Sequence, residues 1–310
     1  LSMLEKKLII QSPEVVKKNQ SSRANFLNID QWNKLEEERK IAQVNLETNQ
    51  ESLNKLSKEI SSSKDDDNLK DQASSLSALV KQDKEILQTI KHNIDEFLLD
   101  IPNLLDDSVP IGEDETSNQI IEEIGNIPEF SFEPKSHSDF IEKTDQGRGV
   151  KIAKSRFTVL SGELAKLHRV IGQFMIDTHV NIHGYEELYV PYIVNKSSLI
   201  GTGQLPKFEE DLFKLTETPD LYLAPTAEVP VTNLHRDEKL KLEQLPLKYV
   251  CHSPCFRSEA GSYGKDTKGL IRQHQFDKVE LVKICHPDKS EEEHKKLIAV
   301  SYTHLTLPTN

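Results

Sequence analysis

The segment 256–280, FRSEAGSYGKDTKGLIRQHQFDKVE, brings arginines, carboxylates and an aromatic side chain together in one predicted hairpin. An apolar run from Tyr249 to Phe256 predicts a first strand, with Arg257 and Glu259, two residues apart, on one of its faces. A stretch rich in Gly, Lys and Asp then predicts a loop, and alternation over 273–282 predicts a second strand. Guanidinium groups bind phosphate oxygens, aromatic rings stack on bases and carboxylates accept from amino groups. We therefore expect this hairpin to bind a nucleotide together with an amine.

Cysteine and histidine residues around the first predicted strand raise the question of a metal site. Cys251 and Cys255 resemble half of a zinc site, but only Cys285 and His286 remain nearby as a second pair. That pair has one thiol fewer than a zinc site would favour. We interpret Cys251 and Cys255 as buried strand cysteines beside Pro254 and expect no structural zinc.

Composition limits the class of protein. A chain of 310 residues predicts two domains, and its net charge of −12 argues against a general nucleic-acid binder. The window 248–283 differs, with seven Lys and Arg residues against four Asp and Glu, which suits a polyphosphate. No apolar run is long enough to span a membrane, and the first residues lack the apolar core of a signal peptide. With only three cysteines, a reducing cytoplasm is the expected compartment.

Two long segments, 32–60 and 69–101, carry heptad-spaced side chains and contain neither Pro nor Gly. The seam positions are Trp32, Leu35, Arg39, Ala42, Leu46, Asn49, Leu53, Leu56 and Ile60, followed by Leu69, Ala73, Leu76, Val80, Asp83, Leu87, Ile90, Ile94, Phe97 and Ile101. The polar stretch 61–68 predicts a turn between them, so the two helices should form an antiparallel coiled coil. From the pattern alone, a purely structural or dimerising role is an open alternative for this hairpin.

Three segments together carry a resemblance to a known family. The block FRSEAG…GLIRQHQFDKVE resembles motif 2 of the class II aminoacyl-tRNA synthetases, in the form found in seryl-tRNA synthetases. GTGQLPKF at 201–208 and APTAEVPVTNL at 224–234 resemble two further segments of that family, in the same order. The resemblance extends from about Met3 to about Val300.

This resemblance implies an α+β protein with a helical arm followed by a class II antiparallel β-sheet domain flanked by helices. We expect the tRNA-binding arm at 1–110, a linker at 111–134, the first part of the catalytic domain at 135–300 and a foreign tail at 301–310. Helical spacing over 155–183 and a strand-like segment over 185–194 resemble motif 1, the dimer element of class II synthetases. A homodimer is therefore expected.

The resemblance implies specific roles at the ATP site. Arg257 is expected to clamp the α-phosphate and the amino-acid carboxylate, and Glu259 to accept from the adenine amino group. Phe276 would stack on adenine and Arg272 would hold the γ-phosphate. The ATP-binding positions implied in full are Arg257, Ser258, Glu259, Arg272, Gln273 and Phe276. Taken singly, each arginine could equally be a surface ion pair and Phe276 a core aromatic residue.

A serine pocket is implied by a second set of residues. They are Thr226, Ala227 and Glu228, together with Arg257 and Glu280. A site that separates serine from alanine has to hydrogen-bond the hydroxyl group, which suits Thr226 and the two glutamates. The alternative interpretation is that Thr226 to Glu228 cap a helix predicted over 229–238, and both can hold together.

The arm is implied to grip the long variable arm of tRNA(Ser). Candidate contacts near its tip are Lys55, Lys58, Lys64 and Lys70, although 31–100 hold ten Lys and Arg against fifteen Asp and Glu. A contact directed at shape and backbone needs only local basic residues. The sequence does not decide whether tRNA(Sec) is a partner as well.

Members of the family continue through a motif 3 that supplies another ATP-binding arginine and the ligands for Mg²⁺. We expect the complete protein to attach L-serine to tRNA(Ser) through a seryl-adenylate, using ATP with Mg²⁺, whereas the 310-residue chain should lack this activity. A non-catalytic relative that binds tRNA or another partner is the alternative.

Overall fold

The computed structural model describes residues 4, 6–21, 27–62, 66–112, 114–123, 126, 129–135, 144–260 and 269–301. The chain divides into two compact units, Leu1–Glu123 and Ile124–Asn310. Helices of the first unit are α1 Lys6–Gln11, α2 Pro13–Gln20, α3 Ile29–Ser62 and α4 Asp67–Leu99. The second unit contains β1 Thr144–Asp145, α5 Gln146–Ala153, β2 Val159–Leu160, α6 Gly162–Asn181, β3 Glu186–Glu187, β4 Ile193–Asn195, α7 Lys196–Gly201, β5 Leu221–Leu223, α8 Glu228–Asn233, β6 Leu247–Phe256, β7 Gln275–Ile284 and α9 Ser290–Ser301.

Helices α3 and α4 form the predicted helical hairpin. With 34 residues, α3 is about 51 Å long at the usual rise per residue. Both helices extend into the predicted turn, because α3 continues to Ser62 and α4 begins at Asp67. The Asp66 side chain accepts from the N–H groups of Asn68 and Leu69, which caps the start of α4.

The seam between α3 and α4 contains a polar pair at its predicted heptad positions. The Asn49 side-chain amide donates to the Asp83 carboxylate at 2.7 Å, across 34 residues of sequence. Arg39, the third polar seam residue, instead pairs with Glu36 of its own helix at 3.0 Å. A cross-helix polar pair inside an apolar seam satisfies both partners in only one alignment of the helices.

The open end of the hairpin is closed by α1 and α2. Their apolar side chains join Trp32 and the last turns of α4 in one buried cluster: Leu4, Ile9, Val16, Leu27, Trp32, Ile94 and Leu98. Gln20 is fully buried and uses both ends of its amide, donating to the Pro102 carbonyl and accepting from the Leu27 N–H. This amide therefore connects three separate segments at the base of the arm.

The second unit is built around a long antiparallel pair of strands. β6 and β7 pair over ten residues, from Leu247 opposite Ile284 to Phe256 opposite Gln275. β3 pairs with β6 in parallel, so the described sheet has the order β3-β6-β7 and is mixed rather than purely antiparallel. Separate two-stranded pairs join β1 with β2 and β4 with β5.

Helices cover both faces of the β6–β7 pair. On one face, Ile176 of α6 and Leu297 of α9 pack with Val250. The opposite face packs against Ala227 and Val231 beside and within α8. The two faces correspond to odd and even residues of β7, as the pleat of a strand requires.

Helix α9 is attached to β7 by a nearly buried ion pair. Lys283 and Glu293 approach to 2.8 Å, with only 8% and 11% of their side chains exposed. The hydrogen bond from Lys283, followed by that from Lys296, lowers the pKa of Glu293 to about 2. Within the described residues, no helix is both long and apolar enough to cross a membrane.

Two predicted boundaries around motif 1 are wrong. The helix expected over 155–183 begins only at Gly162, because residues 159 and 160 form β2 and pair with β1. The strand expected over 185–194 is interrupted, since β3 ends at Glu187 and β4 begins at Ile193. Those two strands belong to different sheets, which a local pattern does not reveal.

The polar pair in the seam leads to a test on the isolated arm. Asn49→Leu should lower its unfolding free energy by about 1–3 kcal/mol, because the Asp83 carboxylate loses its amide donor. Replacing both residues with Leu should instead raise the unfolding free energy above that of the wild type. Urea titration followed by helical circular dichroism measures both changes, with the exposed Asn54→Leu as a control within about 0.5 kcal/mol. A single variant as stable as the wild type would contradict the pairing.

Candidate active site

The segment that follows β6 leaves the strand earlier than predicted. β6 ends at Phe256, so Arg257 and Glu259 do not share a strand face. The Ser258 N–H donates to the Asp211 carbonyl at 2.9 Å, and the Ala260 N–H donates to the Asp211 carboxylate at 2.9 Å. The N–H groups of Ser258 and Ala260 therefore bond to the loop that contains Asp211 and not to a neighbouring strand.

Arg257 lies between the segment before α8 and the surface of β7. Its Nε donates to the Pro225 carbonyl at 3.2 Å, and its guanidinium lies 5.3 Å from the centre of the Phe276 ring. Phe276 stands opposite Cys255 in the β6–β7 register. The flat guanidinium is therefore held over an aromatic face beside the residue that precedes Thr226.

Glu259 and Arg272, predicted to bind opposite ends of ATP, form an ion pair in this structure. Arg272 Nη1 approaches the Glu259 carboxylate to 3.1 Å, and the two side chains are 36% and 17% exposed. Gln273, predicted with them, accepts from the Thr158 hydroxyl at 2.7 Å. Arg272 and Gln273 precede β7 rather than belonging to it, because that strand begins at Gln275.

The residues predicted for a serine pocket form a connected polar cluster. The Thr226 hydroxyl donates to the Glu280 carboxylate at 2.6 Å and accepts from the Glu228 N–H at 3.2 Å. Lys278 donates to the same hydroxyl at 2.6 Å and also pairs with Glu280. Thr226 thus accepts from the first turn of α8 and also belongs to this polar cluster, so its capping contact does not exclude a binding role.

Lys278 is a site residue that the sequence analysis missed. It could have been found from the pleat of β7, because Phe276, Lys278 and Glu280 alternate along one strand and so share a face. The cluster therefore contains two cations, Arg257 and Lys278, beside the Glu280 carboxylate.

Glu228 adds a second carboxylate to this cluster. Burial raises its pKa, and the nearby Glu280 raises it further, whereas Lys278 and then Arg257 act in the opposite direction. Ala227, next to it, is 1% exposed and has its small side chain in the core. The cluster thus places the Glu228 and Glu280 carboxylates near each other, and Lys278 and Arg257 offset part of the effect of Glu280 on Glu228.

The two cysteines of β6 are buried, as predicted. Cys251 and Cys255 are 1% and 0% exposed, and burial raises the pKa of Cys251 to about 11. Thiols in this state are poor metal ligands. Among the residues that the structure describes, no three His, Cys, Asp or Glu side chains group closely enough to hold a metal ion.

Near the tip of the arm, Lys55, Lys58 and Lys70 are exposed, and two of them pair with acidic residues of their own helices. Lys55 pairs with Glu51 at 2.7 Å, and Lys70 pairs with Asp67 at 3.0 Å. Lys64 lies outside the described residues, as do positions 302–310 of the predicted tail. Exposed pairs of this kind contribute little to stability.

Comparison with known proteins decides the family. Residues 3–105 match the seryl-tRNA synthetase N-terminal domain, and residues 212–307 match the tRNA synthetase class II core domain (G, H, P, S and T). A serine–tRNA ligase of Legionella pneumophila is 48% identical over 295 residues, covering 93% of this chain and 69% of the relative. The chain belongs to the seryl-tRNA synthetase family.

Solved structures of seryl-tRNA synthetases have the same fold. The crystal structure of the enzyme from Pyrococcus horikoshii, complexed with ATP, gives a TM-score of 0.82 at 32% identity and covers 96% of this chain and 73% of its own. The cytoplasmic enzyme from Naegleria fowleri, in complex with AMP, gives 0.75 at 28% identity and covers 94% and 68%. The expected α+β fold, with an N-terminal arm and a class II core, is therefore confirmed.

The charge balance in this synthetase pocket can be tested by titration. Replacing Glu280 with Gln should lower the pKa of Glu228 toward its ordinary value, because a neighbouring negative charge is removed. Replacing Lys278 with Met should raise the pKa of Glu228, because a neighbouring positive charge is removed. Carboxyl carbon NMR across the acidic range measures both shifts, with the exposed Lys289→Met as a control. Shifts of the same sign in the two variants would contradict the geometry.

Proposed function

We propose that the protein, in its full-length form, attaches L-serine to tRNA(Ser) in an ATP-dependent reaction through a seryl-adenylate. One observation carries this proposal: Arg257 bonds to the carbonyl of Pro225, immediately before Thr226. This bond brings the guanidinium proposed to bind phosphate next to the polar cluster of Thr226 and Glu280. No separate observation favours the non-catalytic alternative.

For ATP, we assign the motif 2 roles residue by residue. Arg257 would bridge the α-phosphate and the serine carboxylate, and Phe276 would offer its ring to adenine. Glu259 would accept from the adenine amino group and Arg272 would take the γ-phosphate, so ATP has to replace their mutual ion pair. Ser258 and Gln273 are the remaining two proposed ATP-binding residues. They would contribute backbone contacts next to Arg257 and Arg272.

The chemical step is an in-line displacement at phosphorus. The serine carboxylate attacks the α-phosphate, the new acyl–oxygen–phosphorus bond forms and the bond to pyrophosphate breaks. Catalysis of such a step consists mainly of positioning both reactants and neutralising the charge that develops. Arg257 suits both tasks because its planar guanidinium can contact two oxygens at once.

For serine, the cluster of Thr226, Lys278 and Glu280 supports selection of a hydroxylated amino acid. Serine carries an ammonium group and a hydroxyl group, and both can bond to carboxylate or hydroxyl oxygens in this cluster. In the structure, Lys278 donates to the oxygens of Thr226 and Glu280 that would receive the substrate. The serine set proposed remains Thr226, Ala227, Glu228, Arg257 and Glu280.

ATP is proposed to arrive with Mg²⁺ on its phosphates. The described residues offer no cluster of metal-binding side chains at this site, so no step is assigned to the metal. When bound, the ion would neutralise phosphate charge.

Further elements of the proposal concern partners and organisation. Helix α6 exposes Leu167, Val170, Ile171 and Phe174, which supports a homodimer through motif 1. The arm at 1–110, with Lys55, Lys58, Lys64 and Lys70 near its tip, is proposed to bind tRNA(Ser), and tRNA(Sec) is a further candidate. The linker at 111–134, the catalytic part at 135–300 and a cytoplasmic location complete the proposal.

Arg257 provides the direct test. In a full-length version that includes motif 3, Arg257→Ala should reduce serine-dependent ATP–pyrophosphate exchange by at least about a thousandfold. Arg257→Lys should also be poor, because a point charge does not replace a two-pronged donor. The exposed Arg236→Lys serves as a matched control with unchanged exchange. Exchange retained within tenfold in Arg257→Ala would refute its assigned role.

Deleting the arm should separate the two half-reactions. Removal of about residues 31–98 from the full-length version should preserve exchange and reduce transfer of serine to tRNA by at least about a hundredfold. The reason is that the arm holds none of the proposed ATP or serine contacts. Exchange and aminoacylation are measured on the same preparation, and loss of both together would show that the hairpin is structural.

A further inference from the structure

Glu259, the residue proposed to read adenine, has an unusual backbone conformation. Its φ is +50°, in the left-handed region that residues with a side chain seldom adopt. Such a conformation costs about 1 kcal/mol or more and persists only where surrounding groups impose it. The groups that impose it therefore determine where the Glu259 carboxylate lies.

One residue, Asp211, contacts the backbone on both sides of Glu259. Its carbonyl accepts from the Ser258 N–H at 2.9 Å, and its carboxylate accepts from the Ala260 N–H at 2.9 Å. The bond to Ala260 orients the peptide group that joins Glu259 to Ala260, and the bond to Ser258 holds the peptide group that joins Arg257 to Ser258. Arg156 adds a third contact by donating to the Glu259 carbonyl at 3.3 Å.

We propose that Asp211 is a positioning residue for nucleobase selection, holding Glu259 in the conformation in which its carboxylate meets the amino group of adenine. The inference rests on the proposed function of Glu259. Asp211 itself would touch neither ATP nor serine. Its effect would pass through the backbone of Ser258 and Ala260.

The position of Asp211 also gives a role to the conspicuous segment GTGQLPKF at 201–208. The Asp211 N–H donates to the Phe208 carbonyl at 3.0 Å, and the Phe208 N–H donates to the Gln204 carbonyl at 2.8 Å. This series of turns connects the segment directly to the residue that brackets Glu259. The segment would therefore support the nucleotide site without contributing a side chain to it.

Base selection follows from the chemistry of the two purines. Adenine carries an amino group at its sixth position, which donates to a carboxylate, whereas guanine carries an oxygen there, which repels it. Discrimination of this kind depends on an accurately placed acceptor, because the wrong base leaves a buried charge without a donor. If the Glu259 carboxylate were displaced, ATP would bind more weakly and the enzyme would lose most of its discrimination against GTP.

The experiment compares ATP and GTP in serine-dependent pyrophosphate exchange by the full-length version. Asp211→Ala should raise KM for ATP about tenfold, leave KM for serine within twofold and reduce the ATP-to-GTP ratio of kcat/KM at least tenfold. Asp211→Asn should keep the ratio within about threefold of the wild type, because its amide oxygen can still accept from the Ala260 N–H. The exposed Glu217→Ala, a carboxylate a few residues after Asp211 in the chain, is the matched control, with all values unchanged.

Glu259→Ala separates this inference from the proposed function on which it rests. If Glu259→Ala lowers the ATP-to-GTP ratio but Asp211→Ala does not, the positioning role is overturned and the role of Glu259 stands. If Glu259→Ala leaves the ratio unchanged, the proposed reading of adenine fails, and the inference fails with it. Should Asp211→Ala lack the wild-type melting transition, Asp211→Ser replaces it with the same expectation.

Discussion

The ten-residue ladder between β6 and β7 is the interaction on which the second unit depends. Its register sets Cys255 opposite Phe276 and Cys251 opposite Glu280. Each residue of β7 therefore has a fixed partner in the neighbouring strand β6. A shift of one residue would exchange the two faces of β7 completely. Lys278 and Glu280 would then face α6 and α9, and Val279 and Leu281 would face Thr226.

The pleat of β7 lets one strand serve two purposes. Lys278 and Glu280 point toward Thr226, whereas Val279 and Leu281 pack in the core with α6 and α9. Because the core residues alternate with the site residues, the packing that stabilises the unit also holds the polar cluster in place. On the face of Val279 and Leu281, the ion pair of Lys283 with Glu293 also connects α9 to β7.

Features that depend on local periodicity were predictable from the sequence. The arm followed from heptads, and the hairpin followed from an apolar run before a polar loop and an alternating strand after it. The end of β6 was not predictable, because the backbone of Ser258 and Ala260 bonds to Asp211, almost fifty residues earlier in the chain. Strand β2 was missed for a similar reason, since two residues become a strand only through their partner.

The site residues show the same division between local and distant causes. Thr226, Arg257 and Glu280 were chosen from a resemblance, and the structure brings them to one surface through contacts that no spacing rule contains. Lys278 was overlooked although it lies between two chosen residues, because a lysine in a strand usually faces solvent. The pleat of β7 places it on the same face as Phe276 and Glu280, and its bonds to Thr226 and Glu280 establish its place in the cluster.

The pair of Asn49 with Asp83 has a consequence for how the arm can act. An apolar seam alone would allow the two helices to slide past each other by a heptad with little change in packing, but this pair can be satisfied in one alignment. At the base of the arm, the buried amide of Gln20 anchors the segment after α4 to the residues before α3. Because the hairpin is fixed at its base and again partway along its length, neither helix can slide along the other, and the reach of the tip from the base stays constant.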